Sequence, residues 1–140
     1  PPYDPDTHYH GVSAALEYAV RMLEVEHIIV MGHSDCGGIK TLMTSDHERL
    51  SSEFIGQWLS IALPAKKEVL EKLGNASPEV QQCACEEASL LLTMENLLSF
   101  PWIRERTENG RLKLHAWYFN IGKGHLYGYD SDQEAFIQIK

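Results

Sequence analysis

The stretch Ile28-Ile29-Val30-Met31-Gly32-His33-Ser34-Asp35-Cys36-Gly37-Gly38 decides the fold class. Its first four residues are apolar and mostly β-branched, and they predict a short strand apolar on both faces, as in a parallel sheet covered on both sides. The glycine-flanked turn ends that strand, and Ile39 to Met43 resumes an apolar pattern that reads as a short helix. Upstream, Val12, Ala15, Leu16, Ala19, Val20 and Leu23 recur at helical spacing, with Ser13 available to cap the start. Helix, buried strand, Gly-rich turn and helix form an α/β unit whose functional end is the carboxyl end of the strand.

Pro1 to Tyr9 has no period and reads as an extended entry loop, and residues 46 to 53 are polar and read as loop. Ile55, Trp58, Leu59 and Ala62 share a helical face, and Pro64 starts a further helix that ends near Gly74-Asn75. Ser77-Pro78-Glu79 caps and opens a long helix with Ala84, Ala88, Leu91, Leu92 and Leu98 as its buried stripe, and Pro101 stops it. A short helix covers Trp102 to Thr107, and Asn109-Gly110 is a turn. Leu112 to Ile121 reads as a strand, Leu126 to Tyr129 as its antiparallel partner, and Ala135 to Ile139 as an edge strand. The expected fold is therefore α/β, a mainly parallel central sheet flanked by helices with an antiparallel C-terminal strand pair.

The 140 residues, 44% of them hydrophobic, suit one domain with a substantial core. A formal charge of -8 argues against nucleic acid as a partner, because phosphates require a basic patch. No apolar run approaches a membrane span. Three cysteines do not make a disulfide framework, and Cys83 and Cys85 are too close for easy pairing, so reduced thiols in a cytosol-like compartment fit better.

His33 and Cys36, two residues apart on the turn after the strand, can aim an imidazole nitrogen and a thiolate at one point, which suits tetrahedral zinc. Standing alone, the H-x-x-C spacing fits a strand-end histidine and a small buried cysteine better. Cys36 as a nucleophile at a strand-to-helix turn is a further reading. The G-x-S-x-G elbow fails, since Cys36 occupies its last position. Cys83 and Cys85 point to different faces of a helix and make no chelate. His8 and His10 read as a surface pair, and His27, His47, His115 and His125 have no partner spacing and read as structural or exposed.

The flanking sequence separates these readings. Ala15 to Val20, the run Val25 to Gly38, Trp58 with Leu63-Pro64-Ala65-Lys66, Glu86-Glu87 with Glu95-Asn96-Leu97, and Gly110-Arg111-Leu112 with Leu114-His115-Ala116-Trp117 together resemble the β-class carbonic anhydrases, in order and over most of the chain. The resemblance implies a zinc lyase that interconverts carbon dioxide and bicarbonate, with zinc held by two cysteines and one histidine. It makes His33 and Cys36 the downstream metal ligands. It also places Gly37 with its backbone N–H toward the substrate, and Tyr18 on the wall of the active-site cleft. The partners it implies are carbon dioxide or bicarbonate and further copies of the chain, in a homodimer or higher homo-oligomer, with a cytoplasmic location or an organelle stroma.

One family segment has no counterpart in these 140 residues: an upstream C-x-D-x-R strand that supplies the other cysteine ligand and an Asp-Arg pair. With Pro1-Pro2-Tyr3 in place of an initiating Met, the chain reads as a single domain incomplete at its N-terminus, catalytically silent alone. It should also be poorly stable unless another chain fills the gap beside the Ile28 to Met31 strand. The alternative reading is a non-catalytic assembly module that kept the fold without a complete zinc site.

Overall fold

The computed structural model describes residues 1–4, 10–45 and 54–139. His8, His47 and the loop expected over 46–53 lie outside the described residues. The first helix, α1 (Gly11–Glu17), runs on into one π-helical turn, Tyr18–Met22. Its N-cap is His10 and not the expected Ser13, because the Ala14 N–H already donates to the His10 carbonyl at 2.9 Å. Backbone bonding, and not the apolar period, sets that start.

Strand β1 (His27–His33) follows, and its burial alternates. Ile28 and Val30 pack into the core, whereas Ile29 is 46% and Met31 59% exposed. The strand expected to be covered on both faces is thus covered on one. β1 is also an edge strand, in a four-stranded sheet of order β1-β2-β3-β4, and among the described residues nothing buries its second face. β2 (Lys113–Asn120) pairs parallel to β1, with Ile29 opposite His115 and His33 opposite Phe119. β3 (His125–Asp130) and β4 (Ala135–Ile139) add antiparallel pairs, so the C-terminal pairing is as expected and the sheet is mixed.

The parallel register also corrects one histidine assignment. His27 and His115, which sequence spacing leaves without partners, lie on neighbouring strands with Nδ1 and Nε2 2.9 Å apart. Residues 88 apart become neighbours only when the two strands pair. Desolvation, followed by the nearby His27 and Lys113, lowers the His115 pKa from its ordinary value.

The helices are α2 (Gly37–Thr44), α3 (Ile55–Ser60), α4 (Leu63–Leu73), α5 (Pro78–Leu98) and α6 (Pro101–Glu108). Pro64 sits in the first turn of α4, and the Ser77 hydroxyl accepts the Val80 N–H at the start of α5, both as the sequence predicts. α5 ends at Leu98, and Pro101 opens α6, where a missing N–H costs nothing. On α3 only Leu59 of the expected face is buried, and Ile55 and Trp58 stand exposed.

α5 organises the core. It places Cys85 among Ile39, Leu42, Leu59, Ala65 and Val69, Leu90 against Ala116 and Tyr118, and Leu97 with Val20, Phe100, Ile103 and Leu112. The expected stripe of Ala84, Ala88, Leu91 and Leu92 flanks this line, partly buried. The line of deepest burial is rotated from that stripe because α5 is packed by helices on one side and by the sheet on another. At Gly32 an added Cβ would lie 2.8 Å from Leu90 Cδ2, so glycine lets α5 approach β1 where the strand enters the turn.

Candidate metal-binding turn

The turn Ser34-Asp35-Cys36 joins the end of β1 to the start of α2 and is anchored on three sides. The Ser34 N–H donates to the Phe119 carbonyl at 3.0 Å, and the Ser34 hydroxyl accepts the Ile121 N–H at 2.9 Å, which fastens the turn to the end of β2. Asp35 takes the left-handed backbone conformation, φ +58°, a place where aspartate is among the better tolerated non-glycine residues. Cys36 then becomes the N-cap of α2 with extended backbone, and its carbonyl accepts the first helical N–H, from Lys40, at 2.9 Å.

The third anchor was missed in the sequence. Glu86 on α5 is a buried carboxylate, 4% exposed, and its Oε1 accepts the Cys36 backbone N–H at 2.9 Å. Gln82 Nε2 donates to the same oxygen at 3.0 Å, and the Tyr118 hydroxyl donates to Oε2 at 2.8 Å. Burial and the hydrogen bond to Glu86 push the Tyr118 pKa far above the ordinary tyrosine value, so this hydroxyl remains a donor. Three donors and a buried acceptor tie β2, α5 and the turn into one network. A glutamate in a helix ordinarily reads as solvated surface, and beside Glu87 nothing local marks Glu86 as buried; its one signal was membership of the Glu86-Glu87 segment that carries the family resemblance.

His33 and Cys36 are brought to the same turn, as their spacing requires. The His33 Nδ1 lies 2.8 Å from the Ser34 carbonyl oxygen. Since a carbonyl can only accept, Nδ1 carries the proton, and the Nε2 lone pair is left for a metal. That is the usual way in which a supporting carbonyl orients a ligating histidine. Cys36 is a free, partly buried thiol. Imidazole and thiolate on a braced turn fit zinc chemistry. Among the described residues, no three His, Cys, Asp or Glu side chains gather as a metal cage.

The other two thiols lie on α5 and not on the turn itself. Burial pushes the Cys85 thiol from 9.0 up to about 11, and desolvation raises that of Cys83, whose sulfur lies 3.7 Å from the Tyr118 hydroxyl. The unfolded Cys85 thiol loses its proton first, so its stabilising contribution is full below pH 9.0 and is lost as pH rises through about 11. Urea unfolding across that range should show stability falling with pH, and Cys85→Ala should flatten this slope; an unchanged slope would contradict it.

Of the remaining expected site residues, Gly37 opens α2, and a Cβ added there would meet nothing within 4 Å, so the turn is approachable from that side. Tyr18 lies in the π-helical turn and is 60% exposed. An apolar cavity of about 440 Å³ borders Cys36, walled by Val12, Ile39, Trp58, Leu59, Leu92 and Thr93 among others; Tyr18 is not part of its wall. A larger groove, about 830 Å³, runs along α4 past Lys66 and Lys67 and does not reach the turn. The cavity at Cys36 is the relevant one, because it alone of the two touches a candidate ligand.

Comparison with known proteins gives a consistent set of matches. The family model described as carbonic anhydrase matches residues 2–126. Beta carbonic anhydrase 3 of Arabidopsis thaliana is 40% identical over 126 residues, covering 89% of this chain and 48% of that protein. The chloroplastic beta carbonic anhydrase 5 of the same plant is 40% identical over 121 residues, covering 86% of this chain and 40% of that protein. The chain thus spans about half the length, or less, of these curated relatives. Among solved structures, the β-carbonic anhydrase CcaA superposes with a TM-score of 0.89 at 30% identity, over 99% of this chain and 66% of that one. A tetrameric β-carbonic anhydrase of Sordaria macrospora shares the fold, with a TM-score of 0.76 at 24% identity over 91% of this chain and 62% of that one.

Proposed function

The chain belongs to the β-carbonic anhydrase family, and from that premise we propose that the whole protein interconverts carbon dioxide and bicarbonate on a zinc ion held in part by His33 and Cys36. The observation that carries this reading is the braced turn, in which the Ser34 carbonyl holds His33 Nδ1 and leaves Nε2 available, while Glu86 fixes the backbone of Cys36 at the turn's other end. The third protein ligand, a cysteine, would come from outside these 140 residues. When bound, zinc supplies Lewis-acid activation of water near neutral pH.

The residues of this chain have separate tasks in that scheme. His33 and Cys36 bind; Ser34 fixes the histidine tautomer; the first-turn N–H of Gly37, which has no partner within its helix, is available to a substrate oxygen. The apolar walls of the cavity beside Cys36 suit carbon dioxide, a small uncharged molecule, and hold ordered water poorly. Tyr18 is proposed as an outer wall of the cleft. β1 presents His33 on the same face as Ile29 and Met31 and keeps an unpaired edge, which is where a strand bearing the missing ligand would arrive. The same open face supports a homodimer or higher homo-oligomer. No helix among the described residues is long and apolar enough to cross a membrane, and we place the protein in the cytoplasm or an organelle stroma.

Bound zinc and carbon dioxide hydration, measured on the 140-residue chain and on a form extended upstream through a C-x-D-x-R segment, test the proposal. The chain alone is expected to be inactive, and the extended form to bind one zinc and turn over. An extended form that holds no zinc and is inactive would overturn the reading and leave the non-catalytic assembly module, for which the exposed Ile29 and Met31 face speaks.

A further inference from the structure

Glu86 has a place in the fold that packing does not explain. A carboxylate 4% exposed on the line of α5 that otherwise buries Cys85, Leu90 and Leu97 is costly unless its oxygens are satisfied, and an apolar residue would fill the same space without that cost. Its three recorded partners, the Cys36 N–H, the Gln82 amide and the Tyr118 hydroxyl, are all donors. A set of donors suits the ionised, acceptor-only form. No ion pair to Glu86 is recorded among the described residues, and the one backbone group that it holds belongs to Cys36.

We infer that Glu86 is a positioning residue for the metal turn: its carboxylate sets the Cys36 backbone in place, and its buried negative charge favours a cation held on that turn. Tyr118 is the second member, because it holds the other carboxylate oxygen and connects the turn to the middle of β2. The inference deepens the zinc reading and rests on it, but its geometric half concerns the metal-free chain.

The two halves are separable by experiment. Glu86→Ala removes both acceptors, whereas Glu86→Gln keeps a carbonyl oxygen for the Cys36 N–H, removes the charge and turns the oxygen that accepts from Tyr118 into an amide donor, a loss that Tyr118→Phe measures by itself. Amide hydrogen exchange followed by NMR on the metal-free 140-residue chain is expected to show the Cys36 amide exchanging about tenfold faster or more in Glu86→Ala, since a hydrogen bond to a charged group is lost. Ser34, bonded to Phe119, and Leu90, in mid-helix, report the background and should change less. Parallel acceleration of all three amides would mean general loosening and would overturn the positioning role, as would an unchanged Cys36 amide. Tyr118→Phe, which leaves the Cys36 contact in place, should accelerate the same amide by a smaller factor and keeps the test alive if Glu86→Ala does not fold.

Cobalt(II) titration, read by the thiolate-to-cobalt absorption band and controlled with Cys36→Ser, tests the charge. Glu86→Gln is expected to weaken cobalt binding by about tenfold, the scale typical of outer residues that support a metal ligand. Equal affinity in the parent and Glu86→Gln would overturn the charge role alone. No cobalt uptake by the extended parent would overturn the zinc reading instead, whatever the exchange rates show.

Discussion

Replacing Phe100 with alanine is expected to destabilise the protein by about 3–5 kcal/mol, the range for removing a fully buried aromatic ring. Phe100 is 1% exposed and sits at the two-residue break between α5 and α6, where it packs with Val20, Leu97, Ile103 and Leu112. Tyr3 and Trp102 each meet its ring edge-on with centroids 5.2 Å apart. The ring therefore joins the N-terminal segment, the π-helical turn, both helices and the start of β2. Its loss leaves a cavity that cannot collapse, because its lining belongs to elements fixed elsewhere. Against a total of about 5–15 kcal/mol for a domain, this is a large fraction. Urea unfolding of the two proteins measures it, and a difference under about 1 kcal/mol would show that the cluster relaxes around the gap.

On the proposed zinc reading, His33→Ala and Cys36→Ala in the form extended upstream are each expected to reduce bound zinc to background and hydration to the uncatalysed rate. A catalytic zinc site keeps three protein ligands and one open position, so losing one ligand leaves a pair that cannot retain the ion in competition with solvent. Cys83→Ser is the matched control: it sits on α5 and a serine hydroxyl can keep the contact with the Tyr118 hydroxyl, so zinc should remain bound. Metal analysis after gel filtration and the rate of proton release on mixing with carbon dioxide give both readings. Full zinc retention by either alanine variant would remove that residue from the ligand set.

Local chemistry was legible in the residues wherever one segment decides its own structure. The capping serine before Pro78, the first-turn proline of α4, the turn at Gly110 with φ +75° and the β-branched and aromatic strand β2 all stand where sequence placed them. The same holds for His33 and Cys36 on one turn, since two intervening residues allow little else. The buried line of α5 was misread because that helix is packed from several sides, and a periodicity argument assumes one apolar face. The β1 strand was misread for the opposite reason: its composition fits two covered faces, and whether a face is covered depends on what lies beside it.

By itself, then, the sequence determined the α/β class, the order of the elements and the pair of candidate ligands, because each depends on bonds and contacts within a few residues. Only the tertiary structure decided which distant groups brace those ligands. The Glu86 carboxylate reaches the Cys36 N–H across 50 positions and the Tyr118 hydroxyl across 32, and Ser34 meets Ile121 across 87. Such pairs carry no sequence period. They exist because α5 packs against the sheet and β2 pairs in register with β1, and buried polar groups then find their partners within the protein.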